Sequence, residues 1–166
     1  METIGSTASA CTLEIKEYSR LLRSDPGYAQ KAKLVGDATF DLAEFLPQQD
    51  LNRLELSKEL PRIAFHAPCT LQHGLQFTGC TELLLRNLGF SVTEPPDAHL
   101  CCASAGTYSL LQTQLSSQLR TNKIHALNSS EADIIATANI GSLLHLQSGT
   151  ETPVEHWIGI VDKSLE

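Results

Sequence analysis

The sequence predicts an α/β fold: a largely parallel sheet with helices on both faces, preceded by an N-terminal helical segment. Three observations predict it. From Arg62 onward, short apolar runs alternate with longer stretches of helical period, the pattern of strand–helix–strand units. The runs are apolar without a gap, as in Ile134-Ile135-Ala136, which suits strands buried on both faces of a parallel sheet. Before Pro47, apolar residues recur only at helical spacing.

Taken in order, residues 1–10 are small and polar and read as a loose start. Cys11 to Leu22 reads as a helix, with Leu13, Lys16, Glu17 and Arg20 along it. Ser24-Asp25-Pro26-Gly27 is a turn. Tyr28 to Leu46 reads as one longer helix carrying Leu34, Val35, Ala38, Leu42, Phe45 and Leu46 on its packed side, closed by Pro47. Residues 48–61 form a polar linker. The division expected is therefore an N-terminal helical segment and linker over 1–61 and an α/β domain over 62–166. In that domain Arg62 to His66 is a strand. Phe77 to Asn87 is a helix with Leu83, Leu84 and Leu88 inward and Gly89 as its stop. Phe90 to Thr93 is the second strand, broken by Pro95-Pro96-Asp97. Tyr108 to Leu127 is a long helix with Leu111, Leu115, Leu119, Ile124 and Leu127 on one side. Asp133 to Ala138 is a third strand and Ile140 to Leu146 a short helix. Pro153 to His156 is the last strand, and Trp157 to Leu165 the last helix.

Composition excludes several classes. The chain has 166 residues, 42% of them apolar, enough for one domain with a real core. Its formal net charge is −7 and no basic run stands out, which argues against nucleic acid and anionic membrane surfaces. No apolar stretch approaches the ~20 residues that span a bilayer, and the first residues lack the pattern of a signal peptide. Direct membrane insertion is not expected. A cytoplasmic location follows, with association to a membrane through partner subunits left open. The five cysteines are an odd count and fit poorly with a disulfide framework.

Those cysteines carry the chemistry. Cys101 and Cys102 are adjacent and are followed by Ala103, Ser104, Ala105 and Gly106. Neighbouring side chains on an extended backbone point to opposite faces, so a turn is needed for both sulfurs to meet one centre. The pair reads either as a thiolate site for a metal or cluster or as two small buried hydrophobes. In a parallel sheet, sites gather beyond the carboxyl ends of the strands. Cys69 follows the first strand, Asn139 to Ser142 follow the third, and the cysteine pair lies between the second strand and the long helix. Three segments are thus expected to converge.

Written out together, these segments resemble a known family. Cys69 in His66-Ala67-Pro68-Cys69-Thr70-Leu71-Gln72-His73-Gly74 is followed by Cys101-Cys102 in Ala98-His99-Leu100-Cys101-Cys102-Ala103-Ser104-Ala105-Gly106-Thr107-Tyr108. Then come Thr137-Ala138-Asn139-Ile140-Gly141-Ser142 and Pro153-Val154-Glu155-His156-Trp157. The set resembles the cysteine-rich CCG domain of heterodisulfide reductases, of lactate-utilisation proteins and, most strongly, of the C-terminal part of glycolate oxidase iron–sulfur subunits. The resemblance implies an electron-transfer subunit without catalysis of its own. It implies an iron–sulfur cluster of the 4Fe–4S type held by Cys69, Cys101 and Cys102, with Ser142 at the fourth ligand position. It implies a flavin-containing oxidoreductase subunit as partner, oxidising glycolate and passing electrons toward the respiratory chain. It also implies a ferredoxin-like segment N-terminal to this region. Residues 11–46 resemble the family too, with Cys11 matching the last cysteine of a preceding repeat.

The departures from the pattern are specific. Ser142 stands where the family has its final cysteine, Ala103 where it has the glycine after the cysteine pair, and Ala10 and Thr12 flank Cys11 in place of its usual neighbours. A serine oxygen is a harder and far less acidic ligand than a thiolate, so cluster binding is expected to be weakened. Zinc on the three remaining thiolates, or a metal-free interaction domain that binds a partner subunit, are the alternatives. His66, His73 and His99 flank the cysteines as ligands, outer donors or plain hydrogen-bonded histidines. Cys80 reads as core. Gly141-Ser142 reads as a helix start more readily than as an anion site, and no nucleophile elbow surrounds Ser142.

Overall fold

The computed structural model describes residues 2–166; Met1, the first of the expected loose start, lies outside them. The chain opens with a strand instead, β1 (Ile4–Ser6), followed by α1 (Ser9–Lys16), α2 (Tyr18–Leu21) and α3 (Ala29–Ala38). The helix expected over 11–22 is two helices that part at Glu17. The helix expected from Tyr28 to Leu46 is interrupted by β2 (Thr39–Asp41), which pairs in parallel with β1, before α4 (Leu42–Phe45) resumes. The β-branched Thr39 is extended, and Asp41 starts α4 afresh by accepting the Ala43 N–H at 2.9 Å. Leu34 and Val35, expected on the packed side, are exposed; Ala32, Gly36 and Ala38 form the buried stripe.

The second half follows the expected alternation. Its elements are β3 (Arg62–His66), α5 (Cys80–Asn87), β4 (Ser91–Thr93), α6 (Tyr108–Leu111), α7 (Thr113–Asn128), β5 (Ile134–Thr137), α8 (Ile140–Gln147), β6 (Val154–His156) and α9 (Trp157–Lys163). The sheet order is β4-β3-β5-β6 and every neighbouring pair is parallel. Helix α5 begins at Cys80, so Thr81, Leu84, Leu85 and Leu88 make the i, i+3, i+4, i+7 stripe. Leu83, expected inward, is exposed and Leu85 is buried in its place. Gly89, at φ +98°, ends the helix in the left-handed conformation as expected. The long helix expected from Tyr108 breaks at Gln112. Leu111 and Leu115 are exposed, while Ile124 and Leu127 are buried.

Helices cover both faces of the sheet. On one, Ile63, Phe65, Ala136 and Ala138 meet Leu84 and Leu85 of α5 and Trp157, Ile160 and Val161 of α9. On the other, Ala64 and Ile135 meet Ile124 and Leu127 of α7, Leu146 of α8 and Cys102. Each fully buried aliphatic or aromatic side chain contributes about 1.5–3 kcal/mol. Ala43, Leu42, Leu46, Leu51, Leu56 and Leu60 join the first core, so residues before 62 pack on the same sheet. The chain leaves β3 toward β4 on one side and leaves β5 toward β6 on the other. Their adjacent carboxyl ends are therefore the switch point of the sheet, where the following loops part and leave a crevice.

The two halves also echo each other. In the first, Ile4 pairs Thr39, Gly5 pairs Phe40 and Ser6 pairs Asp41. In the second, Ile135 pairs Val154, Ala136 pairs Glu155 and Thr137 pairs His156. Asp41 caps α4, and His156 caps α9 by accepting the Ile158 N–H at 3.3 Å. Counted from these matched strands, Cys11 in α1 stands where Ser142 stands in α8.

Candidate functional site

Three segments meet at the switch point. Cys69 follows β3 through Pro68 and opens a wide turn over Thr70–Gly74, closed by the Leu75 N–H on the Thr70 carbonyl at 2.8 Å. Cys101 and Cys102 lie in the loop between β4 and α6, the first exposed and the second buried. Ala103 has φ +63°, so the chain turns in the left-handed region directly after the pair. This turn lets the Ala103 N–H donate to Cys101 Sγ at 3.2 Å, and the Ala103 carbonyl accepts from Ser116 Oγ of α7 at 3.1 Å. Ser142 sits in the first turn of α8, which Asn139 caps by accepting the Gly141 N–H at 3.3 Å. Its hydroxyl is buried against Ser104 Oγ at 3.1 Å and accepts from Cys102 Sγ at 3.7 Å. Cys69, Cys101, Cys102 and Ser142 together line a cavity of about 250 Å³, with Ala10 of α1 on its wall.

The electrostatics of this cavity favour a cation among the sulfurs. Burial, followed by the charge and hydrogen bonding of Cys101 and then the charge of Cys102, pushes the Cys69 thiol up to about 11. The penalty on the Cys69 thiolate is relieved when a cationic centre lies beside it. Among the described residues, no three His, Cys, Asp or Glu side chains stand in position to hold a single metal ion. The arrangement lends no geometric support to zinc on three thiolates. The three cysteines share this one cavity. The donor set fits a thiolate-held cluster at three positions and departs from it at Ser142.

The other sequence candidates fall outside this set. His73 and His99 are exposed and do not line the cavity. His66 is buried on the sheet face shared with Cys102, and among the described residues neither of its ring nitrogens has a partner. Burial, then the Lys123 charge, lowers it to about 3, so it is neutral. Cys80 is half-buried at the start of α5 rather than in the core, and lines a separate cavity with Leu83, Leu84 and Leu88. Cys11 is exposed. Lys123 was missed by sequence reading, although its spacing from Leu119 and Leu127 puts it on the inward stripe of α7.

Comparison with known proteins accounts for this constellation. The family profile of the cysteine-rich domain, CCG, matches residues 63–147, from β3 through α8, and so encloses Cys69, Cys101, Cys102 and Ser142. The chain belongs to the CCG family. The expected resemblance is thereby shown. Among CCG relatives, the glycolate oxidase iron-sulfur subunit of Escherichia coli (strain K12) is 47% identical over 165 residues, which are 99% of this chain and 40% of that protein. Lactate utilization protein A 1 of Bacillus cereus (strain AH820) is 30% identical over 162 residues, 93% of this chain and 67% of that protein. A probable glycolate oxidase iron-sulfur subunit of Bacillus subtilis (strain 168) is 28% identical over 153 residues, 91% of this chain and 34% of that protein. The CCG chain thus spans well under half the length of the two glycolate oxidase relatives. Among the described residues, no helix is long and apolar enough to cross a membrane.

Proposed function

We propose that this chain is the electron-carrying part of an oxidoreductase's iron–sulfur subunit. Cys69, Cys101 and Cys102 would hold a cluster of the 4Fe–4S type, with Ser142 at the fourth position. Such a cluster supplies one-electron transfer. The chain's own residues hold it, exclude water from its buried side through Cys102 and Ser142, and leave Cys69 and Cys101 at the accessible edge. The partner inferred is a flavin-containing subunit that oxidises a 2-hydroxy acid such as glycolate, with electrons leaving toward the respiratory chain at the cytoplasmic side. The observation that carries the reading is the meeting of three thiols in one cavity at the sheet's switch point. The relatives' names support it. We infer further that residues 1–61 are the closing half of a second unit of the same kind, supported by the matched strand registers and by Cys11 at the Ser142 position.

A metal-free interaction domain is the second reading. It is favoured by Ser142, whose hydroxyl already closes a network with Ser104 and Cys102 without any ligand. Anaerobic reconstitution with ferrous iron and sulfide separates the two. The iron–sulfur reading expects a brown protein with matching iron and sulfide, lost in Cys69→Ser and Cys102→Ser. It expects Ser142→Cys with Ala103→Gly to take up more iron than either single variant, because one change supplies a soft anionic ligand and the other relaxes the loop. A folded double variant that stays colourless overturns it in favour of the interaction domain.

A further inference from the structure

Lys123 lies mid-way along α7 and is only 1% exposed. Lysine is almost never fully buried unless it is paired. Its Nζ donates to the Ala98 carbonyl at 2.7 Å and to the Asp97 carbonyl at 3.4 Å. Among the described residues, no carboxylate stands within ion-pair distance of it. Burial lowers its pKa, and the groups that act against this are Cys102, Cys69 and Cys101, with Asp97 after them. The neighbouring His66 is neutral and supplies no counter-charge. A buried ammonium held by carbonyls alone is costly unless an anion lies near it, and the loop whose Asp97 and Ala98 carbonyls it grips carries the Cys101 and Cys102 thiols directly afterwards.

The two carbonyls it grips belong to the loop that delivers the cysteine pair. Asp97 has φ +52°, in the left-handed region that aspartate enters more readily than most non-glycine residues and that turns the chain sharply here. The Asp97 carbonyl also accepts the Leu100 N–H at 2.9 Å, closing the turn directly before Cys101. Lys123 is thus bonded to the backbone that sets where the next two sulfurs go.

We propose that Lys123 is a positioning residue of the cysteine pocket, clamping the Asp97–Ala98 backbone so that Cys101 and Cys102 face Cys69 while its ammonium is the fixed counter-charge of the anionic thiolate-held group. The counter-charge clause rests on the iron–sulfur reading; the clamp does not. A cluster's potential depends on the charges around it, so removing this one shifts the potential in a definite direction.

The test uses Lys123→Met and Lys123→Gln in the whole chain. In metal-free protein, amide exchange over residues 97–103 in Lys123→Met is expected to speed up roughly tenfold or more, the loss of a charge-assisted hydrogen bond, while β3 and β5 exchange as before. After reconstitution, both variants are expected to retain less iron, and whatever cluster remains has a more negative midpoint potential than in the parent. If Lys123→Met does not fold, Lys123→Gln decides on the same two readouts. Unchanged loop exchange overturns the clamp, and an unchanged potential overturns the counter-charge. If the parent protein takes up no iron, the iron–sulfur reading fails, and the exchange comparison alone then decides the clamp.

Discussion

Ala103 is a non-glycine residue held in the left-handed region at the hinge of the cysteine loop, with its methyl buried. The left-handed conformation costs an alanine about 1–2 kcal/mol, while a buried methyl returns about 0.8 kcal/mol. Ala103→Gly is therefore expected to stabilise the metal-free protein by roughly 0.5–1 kcal/mol, raising the melting temperature by about 2 °C. A lower melting temperature would show that the loop relies on the methyl. His66 sets a second expectation. It stays unprotonated down to about 3, whereas an unfolded histidine takes its proton near 6.5. Between those values the unfolded chain binds more protons, so stability falls as pH drops through this window. His145 and His156, both lowered chiefly by burial, act in the same direction. Asp41 and Glu82 are raised chiefly by burial and act the other way, gaining protons in the fold at higher pH than when unfolded. Urea midpoints of His66→Leu, compared between about pH 7 and pH 4, should show a flatter slope than the parent. At neutral pH the variant should be at least as stable, because two unpartnered buried nitrogens are gone. At this scale the cysteines were legible because two adjacent thiols are chemically conspicuous. Lys123 was not, because lysine reads as surface until the fold shows which loop lies over it.

Among the elements, β2 is the one that sequence periodicity hid. Its three residues lie inside a run with helical spacing, and what makes them a strand is pairing with β1, more than thirty positions earlier. The two strands are joined through Asp41. Its carboxylate is buried, caps α4 through Ala43 and accepts the Thr12 hydroxyl of α1 at 3.2 Å. Asp41→Ala removes the cap and one of two acceptors of that hydroxyl, which keeps the Ala8 carbonyl at 3.2 Å, so the loss is about 1–2 kcal/mol. Asp41→Asn keeps a capping oxygen and removes the buried charge, so it is expected within about 1 kcal/mol of the parent. Denaturant midpoints check both, and equal losses would mean that the charge rather than the cap holds the junction. The strands of the main sheet were legible for the opposite reason. Ile134-Ile135-Ala136 and Ile63-Ala64-Phe65 are apolar on both sides because both sheet faces are covered, and no helix of that length suits the breakers around them.

For the whole molecule, the parallel sheet and the convergence at its switch point followed from alternation alone, since helical crossovers force parallel neighbours. The relation between residues 1–61 and the rest did not, because the polar stretch over 48–61 reads as a linker while its few leucines carry the packing. In the structure the N-terminal part is bonded to the cysteine end of the sheet. The Ser9 N–H donates to the Ala138 carbonyl at 3.3 Å, Ser9 Oγ meets Thr70 Oγ1 at 2.7 Å, and His156 Nε2 meets the Thr7 carbonyl at 2.6 Å. Ala43 and the leucines at 42, 46, 51, 56 and 60 cover one face of the sheet. Removing residues 1–61 would uncover that face and unpair the loops that carry Cys69 and Ser142. The fragment 62–166 is expected to lose cooperative unfolding and to bind a dye specific for exposed apolar surface. The full chain is expected to melt in one transition, followed identically by circular dichroism and by Trp157 fluorescence. A fragment that melts cooperatively at the parent's temperature would make the N-terminal part a separable module, and the core shared across residue 61 would then contribute nothing to stability.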